Sequence, residues 1–344
     1  MKSRTGIALG CLCLVSLAAQ REGKPKVYEL KANPSNVHWG YFAADVKPAV
    51  TVSPGDIVVM EDVVRVEPAI AEQAGVPPRE VPENHRAIYR DVKDRGPGPH
   101  ILVGPVYVTG AEPGDVLEVR ILDVQLASSF GYNRHGRGGG IAPDEAPEPW
   151  LRVLRIDQKR KTSEVAAGVV VPLLRPFFGT MGVAPDPSAG RISTVPPGSY
   201  AGNLDNKDLG AGATLYIPVF TRGALFSVGD GHAAQGDGEV DVNAVEAGLR
   251  GRFQFFVRKD MRLKWPRAET ATHWIVMGLD PDLDEAMKLA VTETVSFIVE
   301  RFPHLTRQEA YMIASVAVDY HVTQAVDQTK GIHGLIPKSI FQRR

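Results

Sequence analysis

From residue 28 to about 124, short β-branched runs alternate with turn-forming residues. VSPGDIVVMEDV at 52–63 and AEPGDVLEVRILDV at 111–124 read as two copies of one unit. In each, Pro at the second and Gly at the third turn position suit a type II turn, and the apolar run behind suits a strand entering a sheet. The pair suggests an internal β repeat. A second β block spans 194–257, with ATLYIPVF at 213–220 and ALFSVGD at 224–230 joined through Thr221, Arg222 and Gly223 in a hairpin-like connection. Helical spacing begins only after that block. Asp282 is placed to cap a helix with Glu285 at the box position and Ala286, Ala290, Val291, Ile298 and Val299 at helical intervals. Thr306 with Glu309 makes a second capping box ahead of Ala310, Ile313, Ala314 and Ala317, and Pro303 separates the two helices. The stretches 73–99 and 131–149, rich in Pro, Gly and charge, read as long loops, which in a compact domain are often functional. The pattern predicts a mainly β (α+β) fold: β-sandwich or barrel-like sheets to about residue 280, an αα-hairpin over 282–320 and a C-terminal extension.

Composition narrows the function classes. The 344 residues are 44% hydrophobic and 23% charged, enough to bury the core of one large or two modest domains. Lys and Arg (39) nearly cancel Asp and Glu (40), so no basic excess exists to hold a phosphate backbone, and nucleic acid is excluded as a partner. The first twenty residues place Lys2 and Arg4 ahead of an apolar run ending at Ala18 and Ala19, the layout of a secretory signal peptide, so residues 21–344 are expected to be exported. The run 7–17 is too short to span a bilayer, and no later stretch approaches the roughly 20 apolar residues a membrane helix needs. Both cysteines, Cys11 and Cys13, lie in that leader, which leaves the mature chain without a disulfide, a thiolate ligand or a cysteine nucleophile. The apolar region before Cys11 is too short to favour lipid attachment.

The candidate chemistry gathers in GDGHAAQGDGE at 229–239, where Asp230, His232, Asp237 and Glu239 stand between glycines directly after an apolar strand. Imidazole and carboxylate are the ligands of zinc or a similar divalent ion, and Gly lets the backbone turn sharply beside a bound group. YAGNLDNKDLGAG at 200–212 adds Asn203, Asp205, Asn206 and Asp208, and hairpin geometry would bring both clusters to one sheet end. His100, between a Pro/Gly loop and a strand, is a candidate third ligand, and His38 beside Trp39 is another. His85, His135, His273, His304, His321 and His333 have no partner suggested by spacing. GRGGG at 136–140 lacks the Gly-Lys-Ser/Thr ending of a phosphate loop and reads as a mobile loop.

HWGYF at 38–42, GPVYVTGAEPGDVLEVRILDV at 104–124, GRISTVPPGSYAGNLDNKDLGAGATLYIPVF at 190–220, GDGHAAQGDGEVD at 229–241 and GIHGLIPKSIF at 331–341 together resemble the acetamidase/formamidase family. The resemblance implies hydrolysis of short linear amides to a carboxylate and ammonia, a β-rich fold, a bound divalent metal and a homo-oligomer. Two departures are the leader and the charged insertion at 73–95. Combined with the residue reading, it makes His232 and Asp230 ligands, with His100 or Asp205 completing the set around zinc, or calcium as the alternative. Glu239 is then the general base, Asn203 the group that orients the amide, and Asp237 a further catalytic carboxylate. The rival expectations are an exported, metal-stabilised β module that binds without catalysis, and a hydrolase of cyclic amides or other C–N bonds.

Overall fold

The structure, a computed structural model, describes residues 24–341. The leader and both cysteines lie outside the described residues. The two Pro-Gly-Asp segments fold as the same turn. Gly55 (φ +91°) and Gly114 (φ +89°) take the left-handed backbone that a type II turn demands at its third position. Asp56 and Asp115 each accept, at 3.0 Å, the amide three residues upstream. The strands that follow, Ile57–Glu61 and Val116–His135, flank the same long strand, Val245–Arg258, both antiparallel. Large antiparallel sheets therefore dominate the chain, without closing into a barrel. Phe178, Phe226, Phe253 and Phe255 fill the space between sheets, with ring centroids 5.3–5.9 Å apart. Burying each such side chain contributes roughly 1.5–3 kcal/mol.

The expected hairpin through Thr221–Gly223 is not formed. Thr214–Pro218 pairs with the Val116–His135 and Arg267–Glu269 strands, whereas Phe226–Ala234 pairs with Phe177–Gly182, Ile101–Val108 and Val245–Arg258. Ala224 (φ +59°) and Leu225 (φ +57°) redirect the chain between them.

The stretches read as loops are partly regular. Pro68–Gln73 and Glu83–Asp91 are helices, and the second buries His85 and Ile88, three apart on one face. Residues 131–135 continue the Val116–His135 strand against Trp150–Asp157, which leaves 136–149 as the true loop.

The helical hairpin forms as read. Asp282 accepts from the amides of Asp284 and Glu285, and Thr306 and Glu309 complete a reciprocal box, over Leu283–Arg301 and Arg307–Ala317. Ala286 and Ala290 approach so closely that a Cβ on Gly278 would lie 2.0 Å from the Ala286 carbonyl oxygen. Ala310 is buried with Val295 and Ile298 of the first helix, so the alanine face packs within the chain. The residues beyond are not an appendage: Asp319–Gln324 and Lys330–Pro337 pair with each other, and the latter with His273–Asp280. No helix among the described residues is long and apolar enough to cross a membrane.

Two buried histidines make the fold acid-sensitive. His38 donates from Nδ1 to the Tyr41 carbonyl and accepts from Ser227 Oγ at Nε2. His85 sits against the Val66 carbonyl. Burial pushes both down to about 4 from 6.5. As pH falls from 6.5 toward 4, the unfolded chain takes up protons that the native chain refuses, and stability is lost. Each group is worth of the order of 3 kcal/mol across that window. Denaturant midpoints should fall steeply between pH 6.5 and 4, and His38→Asn should flatten the fall; an unchanged slope would contradict the assignment.

Candidate active site

The Phe177–Gly182 strand brings the two polar clusters together. It lies between Ala201–Asn203 and Phe226–Ala234, with Thr180 opposite both Asn203 and Gly229, and Phe177 opposite His232. On the other edge of the Phe226–Ala234 strand, His232 faces Glu246. His100 enters just ahead of the Ile101–Val108 strand, whose Leu102 pairs with Gly229. Small residues let these groups converge: a Cβ on Gly179 would lie 2.3 Å from Asp205 Oδ1 and 2.8 Å from His232 Cε1.

His232 is fully buried at the centre. Gln235 donates from Nε2 to the Asp205 carbonyl, so its Oε1 accepts from His232 Nδ1 at 2.8 Å. That fixes the ring with Nε2 turned toward Glu246 Oε1 (3.3 Å), Asp230 Oδ2 (3.4 Å) and Glu239 Oε1 (4.0 Å), while Asp205 Oδ1 lies 3.8 Å from Nδ1. His100 donates from Nδ1 to Thr194, leaving its Nε2 3.6 Å from Asp230 Oδ2. Arg65, a tenth exposed, approaches the other Asp230 oxygen at 3.5 Å.

The local backbone is strained where the converging carboxylates sit. Asp205 (φ +48°), Asp230 (φ +58°) and Glu239 (φ +44°) all occupy the left-handed region, which costs about 1–3 kcal/mol for each residue so held. Strain of this kind is retained at sites where side chains must point inward together.

Burial, then the neighbouring carboxylates, pushes Asp205 well above the usual carboxylate range. Glu239 is likewise raised by burial, which outweighs the pull of His232. Asp327 is raised by burial to about 6. Asp230 goes the other way: His100, His232 and Arg65 together overcome its burial and hold it below the ordinary value. His232 is raised because Glu246 and Asp230 overcome the burial that would discharge it. His100, dominated by burial, falls to about 4 and stays neutral. Shifted titratable groups gathered in one buried cleft make it a candidate functional site.

The arrangement suits a divalent ion. Ligand atoms of Asp205, His232 and Glu239 all lie within 4.8 Å of one another, and so do those of Asp230, His232 and Glu246. Asp205 Oδ1, Asp230 Oδ1, His232 Nε2 and Glu239 Oε2 are buried without a hydrogen-bond partner. A buried donor set left unsatisfied by the protein, with the histidine's other nitrogen held by a side-chain carbonyl, is what a metal ligand shell requires.

Of the residues singled out in the sequence, Asp205, Asp230, His232, Glu239 and His100 converge here. Asn203 is adjacent but occupied: it accepts from Thr180 Oγ1 at 2.5 Å and donates to Asp327 Oδ2 at 3.0 Å. Asp237 stands apart, half-exposed and paired with Lys207 and His321, both at 2.9 Å. Sequence reasoning missed Glu246, Arg65 and Asp327. The first is found only through cross-strand register, and the others sit in segments with no local signal. Arg65, His100, Arg134, Asn203, Asp230 and Glu239 help line a cavity of about 440 Å³ that leads to the centre.

Comparison with known proteins places this chain among enzymes that hydrolyse amides. It belongs to the acetamidase/formamidase family, whose sequence model matches residues 28–191 and 188–343. The chain is 27% identical over 303 residues to an acetamidase of Mycolicibacterium smegmatis, covering 70% of this chain and 71% of that protein. It is 32% identical over 191 residues to a formamidase of Methylophilus methylotrophus, spanning 41% of this chain and about half (47%) of the relative. The solved acetamidase of Bacillus halodurans superposes with a TM-score of 0.76 at 28% identity, over 91% of this chain and 98% of that one.

Proposed function

We propose that the chain hydrolyses short linear amides to a carboxylate and ammonia at the His232 centre, with a divalent ion, zinc before calcium, held there. The observation that carries this reading is His232 Nε2, buried, without a hydrogen-bond partner and faced by three carboxylates. Histidine with carboxylates is a donor set that zinc accepts. Such an ion lowers the pKa of a bound water toward about 7 and polarises a carbonyl oxygen.

The chain's own residues do the rest. His232 would hold the ion through Nε2, with Asp205 or Asp230 supplying carboxylate oxygen. Gln235 keeps the His232 ring in the required tautomer. His100 and Arg65 hold the Asp230 carboxylate from either side and keep it ionised. Glu239, a buried carboxylate facing the same cavity, takes a proton from the attacking water and returns it to the leaving nitrogen. The water oxygen first bonds to the carbonyl carbon; the C–N bond then breaks as the proton from Glu239 reaches nitrogen, and the second water proton, left on the carboxyl group, passes to the ammonia as the product ionises to carboxylate. Asn203, already engaged with Thr180, orients Asp327 against this centre.

A binding module would close its carboxylates around the ion, whereas here a 440 Å³ cavity opens onto them. The test is an ammonia-release screen of the purified full chain over formamide, acetamide, propionamide and a lactam of similar size. Release from the linear amides supports the reading; release from the lactam alone, or from none, contradicts it.

A further inference from the structure

The cavity is larger than formamide or acetamide needs: about 440 Å³ lies within the range of roughly 300–1,000 Å³ that holds drug-sized ligands. Its inner end is acidic and its outer end is basic. The inner end carries Asp205, Asp230 and Glu239, all buried. The outer end is made by Arg134, His135, Gly136 and Gly139, where the Val116–His135 strand passes into the Gly-rich loop. Arg134 is exposed and makes no ion pair or hydrogen bond among the described residues; its guanidinium only overhangs the Tyr132 ring, 5.8 Å from the centroid. The neighbouring Arg137, by contrast, is neutralised by Glu148 at 2.7 Å. Arg65 also lines the cavity, but it is turned to Asp230 at 3.5 Å, which leaves Arg134, among the described residues, as the guanidinium without an ion-pair partner there.

We infer that the preferred substrate is an amide whose acyl chain ends in a carboxylate, a half-amide of a short dicarboxylic acid, with Arg134 at the cavity mouth as its specificity residue. The inference rests on the amide-hydrolysis reading of the same cleft. The amide must reach the buried centre, so the far end of an extended substrate lies among Arg134, His135 and the loop amides. A guanidinium presents paired donors that match a carboxylate, and an unpaired one at a cavity mouth has no structural partner to lose. A neutral or cationic tail would leave that guanidinium without a partner or repel it. The glycines keep the lip low: a Cβ on Gly136 would meet nothing within 4 Å, which leaves room for a chain to pass.

The test compares succinamate with the uncharged amide in which an isopropyl group replaces the carboxylate, on the full chain with its resident ions. Wild-type kcat/KM should favour succinamate. Arg134→Ala should lower that ratio about tenfold to a hundredfold, the worth of a hydrogen-bonded charge pair. Arg134→Glu should shift preference toward β-alaninamide, whose tail is an ammonium. Calorimetric binding of succinate, lost in Arg134→Ala, reads the anion site without turnover. If neutral amides are hydrolysed but the ratio is the same in all three proteins, this inference falls and the amidase reading stands. If no amide is hydrolysed yet succinate binds through Arg134, the amidase reading falls and the anion site stands. Failure of both hydrolysis and succinate binding overturns both.

Discussion

His232→Ala is expected to lose bound metal and to lower amide hydrolysis by about a thousandfold or more, since removing a principal ligand opens the site. Among the described residues, His232 is shared by both groups of side chains placed to hold an ion, so under this proposal the surrounding carboxylates do not replace it. Its loss also removes the imidazole that both the Asp230 and the Glu246 carboxylates approach, at 3.4 and 3.3 Å. Because the ring is fully buried and packs edge-on to Phe177 at 5.2 Å, truncation leaves a cavity as well. His232→Gln, which keeps most of the volume, separates the two effects. It should also lose metal and activity while its thermal midpoint stays near the wild-type value. Metal retained at full stoichiometry in both variants would remove His232 from the ligand shell.

Glu239→Gln should behave differently. Gln keeps the size and much of the hydrogen bonding but cannot take a proton, so kcat should fall by about two to four orders of magnitude while metal content persists. Burial raises the Glu239 pKa well above 4.5, so its base form is lost on acidification earlier than for an exposed glutamate. The wild-type rate should therefore decline on the acid side above pH 4.5, and the residual rate of Glu239→Gln should lack that limb. If the substitution strips the metal instead, Glu239 is a ligand. Asp327, buried and raised to about 6 beside Asn203, is then the better base; Asp237, tied to Lys207 and His321, is not placed for it.

Much of this site was legible because one glycine-rich stretch concentrates it. Asp230, His232 and Glu239 fall within ten residues, and glycine is what lets so many polar groups share one strand end. Local chemistry also revealed the paired turns at Asp56 and Asp115 and the caps at Asp282 and Thr306, since each depends on residues only three or four apart. What stayed hidden depends on register. Glu246 matters because it stands across from His232 on a neighbouring strand, and no spacing rule joins positions on different strands. The Thr221–Gly223 connection looked like a hairpin turn, but the positive φ of Ala224 and Leu225, unusual for such residues, sends the chain to other partners. The helix Glu83–Asp91 was masked by prolines before it and charges within it, although His85 and Ile88 mark its buried face. The closing strands escaped notice because their glycines and histidines weaken the alternation, yet they position Asp327.

The most direct measurement follows ammonia release from acetamide by the purified full chain as isolated, after chelation, and after refilling with zinc or calcium, with bound metal quantified in each sample. Hydrolysis at the His232 centre predicts ammonia in equal amount to acetate, a rate that falls with metal content and its return on refilling. An undiminished rate from metal-free protein, or no release from any linear amide by fully loaded protein, would contradict it.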